Sequence, residues 1–222
     1  MVELPFNGES MRVYPSKIVC LGRNYAGHAV EMRSEVPESP IIFLKPPSAL
    51  IGPGEEIVIP EKSREVHHEV ELAFLISKKA KNVKVERAME HVLGYTILLD
   101  ITARDLQREA KKKGLPWSVA KGFDTFAPIG PRIESPDSIE PDALEIGLKV
   151  NGEVRQRGNT RDMIFKIPEI ISYISSIMTL EPGDIIATGT PEGVGKIEPG
   201  DVVEAWIEGI GTLRERVRKA TP

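Results

Sequence analysis

His67-His68-Glu69-Val70-Glu71-Leu72-Ala73-Phe74-Leu75-Ile76 sets two acids one residue apart near the head of an otherwise apolar run. Read with a period of two, the stretch is a strand: Val70, Leu72, Phe74 and Ile76 share one face, while Glu69 and Glu71 point together to the other. At roughly 6 to 7 Å and an effective dielectric near 20, two such charges repel by about 2 to 3 kcal/mol. The cost grows if that face is turned away from water, so something positive is expected between them. A second strand-like run, Tyr95-Thr96-Ile97-Leu98-Leu99-Asp100, also closes on a lone acid. Three oxygen donors at the mouths of two buried strands, with no Cys or His pair at zinc spacing, describe a site for a hard cation such as Mg²⁺, Mn²⁺ or Ca²⁺. The solvated face of an edge strand would show the same spacing, and spacing alone does not choose between the two.

Outward from this stretch, the chain bounds its own partners. Its 222 residues suit one domain, 1–222, and a net charge of -4 without a basic stripe argues against nucleic acid. Cys20, the only cysteine, lies in an apolar run and reads as the buried filler of a reduced, intracellular protein. The chain begins without a basic, then apolar, leader. No apolar run approaches the roughly 20 residues of a membrane span, so the expectation is a cytoplasmic protein with no membrane partner.

Residues 1–16 read as a short N-terminal extension. Residues 17–21 form a short strand, and Gly22-Arg23-Asn24-Tyr25 turns it into a helix over 26–33. His28 and Glu31 are three apart on that helix and share a face. A carboxylate beside an imidazole can orient it and raise its basicity, which activates a water near neutral pH; a plain surface pair is the alternative. With Pro37 and Pro40 following, residues 24–40 suit a mobile lid. Residues 85–92 read as a helix with His91 exposed. A helix over 103–113 places Arg104 and Gln107 on one face beyond Asp100, and Arg104 is a natural clamp for a carboxylate. Lys121, alone among apolar and aromatic neighbours, is either a snorkelling surface residue or a desolvated cation facing an anion.

Asn151-Gly152 marks a hairpin, and residues 167–178 form an amphipathic helix with Ile170, Ile171, Ile174 and Ile177 toward the core. The loop Gly189-Thr190-Pro191-Glu192-Gly193-Val194-Gly195 is not a P-loop, since Thr190 and Ile197 stand where Gly and Ser or Thr are required. Its glycines would let backbone amides and the Thr190 hydroxyl approach an anion closely, or simply make a tight turn. Many short strands with few helices give an α+β, mostly β, mixed and mainly antiparallel fold.

Taken together, Gly22-Arg23-Asn24-Tyr25 with His28 and Glu31, Phe43-Leu44-Lys45-Pro46, Glu69-Val70-Glu71-Leu72-Ala73, Asp100 with Arg104 and Gln107, Lys121-Gly122-Phe123-Asp124, and Gly189-Thr190-Pro191 through Gly195 resemble the fumarylacetoacetate hydrolase family, in its compact acylpyruvase and oxaloacetate decarboxylase branch. The resemblance implies a mixed β-sheet roll with a few peripheral helices, commonly a homodimer. It implies Mg²⁺ or Mn²⁺, or Ca²⁺ in crystals, held at Glu69, Glu71 and Asp100, and water activation by His28 and Glu31. Lys121, with Arg104, Gln107, Thr190 and Gly189, would hold a small 2-oxo acid. The expected chemistry is C–C hydrolysis of acylpyruvates or decarboxylation of oxaloacetate through a pyruvate enolate. Alternatives are isomerisation or decarboxylation of 2-hydroxyhepta-2,4-diene-1,7-dioate, and a catalytically silent metal-binding scaffold.

Overall fold

The computed structural model describes residues 1–31 and 36–221, with the backbone alone for residues 28–30. The opening stretch is two strands, not one: Val66–His68 and Val70–Ile76, with Glu69 at the break. The longer piece is buried on both faces, as an apolar run with no polar alternation beyond Glu71 requires. It sits near the middle of a mixed seven-stranded sheet, antiparallel to Val92–Leu99 on one side and Ile185–Ala187 on the other. Ile18–Gly22 and the edge strand Ile41–Lys45 lie beyond Ile185–Ala187. Ala127–Glu134 and Leu50–Ile51 complete the far side.

One face of this sheet, carrying Leu72, Phe74 and Ile76, packs on residues of a five-stranded sheet and on the helix Ile167–Ile177. The other face, carrying Ala73 and Leu75, is covered by Val2, Leu4 and Val13. These come from residues 1–16, which are not a loose extension. Strands Val2–Phe6 and Glu9–Val13 form an antiparallel hairpin turned by Asn7 and Gly8 at φ 50° and 82°, the left-handed pair a two-residue turn needs. The anticipated hairpin at Asn151 and Gly152 has the same geometry, φ 52° and 81°.

The chain changes sheet at two neighbouring points. Val66–His68 belongs to a three-stranded sheet with Thr102–Ala103 and Gly195–Ile197, so Glu69 lies where the chain enters the large sheet. Asp100, just after Val92–Leu99, lies where it leaves again, and its N–H donates to the Glu69 carbonyl at 2.9 Å.

Two side-chain placements differ from the sequence reading. His91 is buried, because Val85–His91 winds as a 3₁₀ helix whose three-residue period turns Ala88 and His91 inward together. Ile177 is 51% exposed, since the helix ends there and Met178 is already extended.

Glu215 is an acid in a core row. It points inward between Leu213 and Val217, its Oε1 accepts the Gly54 N–H at 3.3 Å, and its buried Oε2 has no partner among the described residues. Burial, with a smaller push from Glu55, outweighs the Gly54 N–H and lifts its carboxyl to about 8. Because this lies above the value in an unfolded chain, the folded state holds the extra proton between roughly pH 4.5 and 8, and stability is lost as pH rises through that window. Glu215→Gln should therefore melt progressively higher than the parent between pH 5 and 9; parallel melting curves across that range would rule this out.

Candidate active site and metal centre

Glu69, Glu71 and Asp100 come together as the sequence anticipated. One carboxylate oxygen of each lies within 4.8 Å of the others, and all three residues are buried. At that spacing each ionised pair repels by about 3.5 kcal/mol or more at an effective dielectric of 20, so the chain must compensate. Lys121, itself buried, donates to Glu69 Oε2 at 3.1 Å and to Thr102 Oγ1 at 2.7 Å, and it pairs with Asp100 Oδ2. Burial pulls its ammonium down, but Asp100 and then Glu69 outweigh that and hold its pKa above the usual lysine value. The desolvated cation is the reading the structure selects for Lys121.

Lys45, the buried end of an edge strand, stands 2.8 Å from Asp100 Oδ1 and donates to the carbonyls of Ile101 at 2.9 Å and Lys121 at 2.7 Å. It belongs to a motif quoted above, yet the sequence reading gave it no role. Its only signal is a lysine closing a strand that should end in water. Arg104 pairs with Glu69 Oε1 and donates to Gln107 Oε1 at 2.7 Å.

Glu71 is the exception. Its Oε2 accepts the Gly189 N–H at 2.8 Å, but among the described residues its buried Oε1 has no partner and no cation pairs with it. Burial first, then Asp100 and Glu69, push its carboxyl well above the usual range, against the pull of Lys121 and the Gly189 N–H. A buried, orphaned carboxylate oxygen facing two further carboxylates is what an oxygen-seeking dication would satisfy. The donor set, all oxygen with no sulfur or imidazole among the three, fits Mg²⁺, Mn²⁺ or Ca²⁺.

Glu69 and Glu71, with Asp100 behind them, open into a cleft of about 400 Å³, open mouth included, walled by Gly22, Arg23, Phe43, Trp117, Arg104, Gln107, Lys111, Lys121 and Thr190 among others. Arg104, Gln107, Lys121 and Thr190 are thus gathered around the acids. Gly189 is beside them but gives its N–H to Glu71. Its φ of 93°, with Asn24 Cβ only 2.8 Å from where a Cβ would sit, explains why glycine stands there. Asn24 ties the Gly22–Tyr25 turn down by donating to the Thr188 carbonyl at 2.8 Å and accepting the Phe165 N–H at 2.7 Å.

Glu31 ends the short helix Ala26–Glu31 and is exposed. Its carboxylate accepts the Gly193 N–H at 3.1 Å, on the loop that carries Thr190, and it does not line the cleft. The His28 side chain lies outside the described residues, as do residues 32–35 of the anticipated lid.

Three buried acids that could hold a metal ion, ringed by lysine, arginine and amide groups, give the molecule a defined polar cleft. Comparison with known proteins gives that cleft a family. A model of the fumarylacetoacetate (FAA) hydrolase C-terminal family matches residues 17–218, and the chain belongs to this family. An uncharacterized protein of Pyrococcus abyssi is 67% identical over 217 residues, 98% of this chain and 96% of that one. The mitochondrial oxaloacetate tautomerase FAHD1 of Arabidopsis thaliana is 52% identical over 204 residues, 92% of each chain. In structure, the fumarylpyruvate hydrolase of Pseudomonas aeruginosa, solved with Mn²⁺ and pyruvate, superposes with a TM-score of 0.94 at 38% identity, covering 99% of this chain and 96% of that one. The expected mixed β-roll is therefore the fold. Among the described residues, no helix is long and apolar enough to cross a membrane.

Proposed function

We propose that the protein is an enzyme of enolate chemistry on short dicarboxylic 2-oxo acids of the oxaloacetate type, working with Mg²⁺ or Mn²⁺ held by Glu69, Glu71 and Asp100. The observation that carries this reading is the orphaned Glu71 oxygen within the buried carboxylate trio, at the floor of a cleft walled by cations. The named relatives, an oxaloacetate tautomerase and a fumarylpyruvate hydrolase, support the substrate class.

When bound, the dication supplies Lewis acidity toward the carboxylate and 2-oxo oxygens of the substrate. The chain's own groups do the rest. The Lys121 ammonium, fixed by Glu69, Asp100 and Thr102, stands in a buried cleft where negative charge gathers as an enolate forms, and its position costs no reorganisation. Arg104 and Gln107, locked to each other, present the remaining donors for a carboxylate. Protonation at C3 of the enolate of the intact substrate interconverts its enol and keto forms, whereas loss of CO₂ from the keto form leaves the electron pair on a pyruvate enolate, which takes a proton at C3, and is decarboxylation. Water attack on a distal acyl carbonyl is C–C hydrolysis. This last is a second reading, favoured by the likeness to fumarylpyruvate hydrolase and by the hydrogen bond that ties Glu31 to Gly193 of the loop carrying Thr190.

The test is a panel of enol and keto oxaloacetate and acetylpyruvate, followed in the ultraviolet with Mg²⁺, with Mn²⁺ and after EDTA. Metal-dependent loss of the oxaloacetate enol band is expected; turnover undiminished by EDTA, or none on any 2-oxo acid, would overturn the reading.

Arg23 and Lys111 at the cleft mouth support a second carboxylate on the substrate. Among the described residues neither has an acid within ion-pair distance, and Lys111 stacks 5.1 Å from the Trp117 ring. Burial, then Arg104 and Arg23, bring the Lys111 ammonium down to about 8. Lys111→Met should raise KM for oxaloacetate by about five- to tenfold, the loss of one charge-assisted contact, and leave acetylpyruvate unchanged. In the parent, KM for oxaloacetate should climb above pH 8, as the ammonium loses its proton, while Lys111→Met stays flat.

A further inference from the structure

We propose that Gln156 is a positioning residue that sets the direction in which the Thr190 hydroxyl donates, so that its proton is aimed into the cleft at a ligand oxygen. This rests on the oxo-acid reading of the site. Gln156 lies on the strand Glu153–Asn159 and is its one fully buried side chain.

Four contacts fix its amide without ambiguity. The Val70 N–H, which can only donate, reaches Gln156 Oε1 at 3.1 Å, and the Pro191 carbonyl, which can only accept, is reached by Gln156 Nε2 at 2.9 Å. The oxygen therefore faces Val70 and the amide nitrogen faces the loop. That same nitrogen lies 2.8 Å from Thr190 Oγ1 and must donate to it. A hydroxyl has one proton, and because Gln156 fills a lone pair of Thr190, that proton is left to point elsewhere. Thr190 lines the cleft beside Glu71, Arg104 and Lys121.

His68 completes the chain from the other end. Its Nδ1 lies 2.9 Å from Gln156 Oε1, an oxygen already shown to be an acceptor, so Nδ1 carries the hydrogen. Its Nε2 is buried against Gly195 with no partner among the described residues. With Nδ1 protonated, Nε2 is a bare lone pair, which is less costly to leave unmatched than an orphaned N–H. Every bond then runs one way: the Val70 N–H and the His68 Nδ1–H donate to Gln156, Gln156 donates to Thr190, and Thr190 donates to the ligand.

Two measurements test this. In the ligand-free protein, ¹⁵N spectra of His68 should show the neutral Nδ1–H tautomer; the Nε2–H tautomer would overturn the chain whatever else is found. Titration calorimetry with oxalate, a stand-in for the carboxylate and 2-oxo pair, is run with saturating Mg²⁺ on four proteins. Gln156→Glu places an oxygen where the amide donated, so Thr190 should turn its proton back toward residue 156 and present lone pairs to the anion. Oxalate affinity should fall at least tenfold in the folded protein, as it should for Thr190→Val; Gln156→Glu should also melt lower than the parent, because its new oxygen faces the Pro191 carbonyl. Thr190→Ser should bind as the parent does. Unchanged affinity in Gln156→Glu would overturn the proposal. A parent that binds no oxalate would instead count against the oxo-acid reading, and the His68 spectrum would still decide the hydrogen-bond direction.

Discussion

Glu71→Gln and Asp100→Asn are each expected to abolish calorimetric binding of Mn²⁺ and all metal-dependent turnover, yet to move the stability of the metal-free protein in opposite ways. Asp100 is the counterion of two buried lysines, Lys45 at 2.8 Å and Lys121. Its conversion to an amide leaves Lys45 with carbonyl acceptors alone and Lys121 with Glu69 as its one carboxylate in a low-dielectric site, and breaking a buried pair from one side costs about 3–5 kcal/mol. Among the described residues Glu71 has no cation of its own, and its carboxyl is already driven up by burial and by Asp100 and Glu69. Replacing it with a neutral amide that still accepts the Gly189 N–H should leave the metal-free protein as stable as the parent, or more so. Adding Mn²⁺ at a hundredfold excess over its dissociation constant should then stabilise only the parent, by about 2.7 kcal/mol. Equal losses in the two variants without metal would show that the trio is an ordinary ion-pair network; retained Mn²⁺ binding in both would remove it as the cation site.

The second large effect concerns Glu31. Glu31→Gln keeps an acceptor for the Gly193 N–H, so the helix end stays anchored, but it removes the carboxylate that a general base needs. If hydrolysis of acylpyruvates proceeds at this site, the variant should lose about 10² to 10⁴ of that rate, with Mn²⁺ affinity and enol–keto interconversion of oxaloacetate unchanged. Parallel loss of both reactions would assign Glu31 to folding of the 189–195 loop. Undiminished hydrolysis would remove it from the chemistry.

The carboxylate trio was legible in the sequence because a period of two sets Glu69 and Glu71 to one side, a placement that survives the break in the strand at Glu69, and because Asp100 closes a mostly apolar run. Lys121 was legible as an oddity, a charge among apolar neighbours, but not as a bridge. Its partners Glu69 and Asp100 are 52 and 21 residues away, and pairing at that range is set by sheet order, which no local pattern encodes. Lys45 was missed for the same reason. Gln156 gave no signal, being one polar residue in a polar edge strand, buried only because the 189–195 loop and Val70 close over it. The N-terminal hairpin, by contrast, was available: Asn7 and Gly8 repeat the dipeptide at 151–152, and the strands beside them alternate. His91 went astray because a 3₁₀ segment and an α-helix share composition and differ in period.

The chain passes between its large and small sheets at Glu69 and again at Asp100, and the backbones of those two crossings are bonded to each other. An ion gripped by side chains from both would act as a rivet through a seam. Its arrival should be felt well outside the cleft: amides of Thr102–Ala103 and of Gly195–Ile197 in the small sheet should exchange with deuterium more slowly once the rivet is in place. Occupancy could then be followed in a protein whose substrate had never been added.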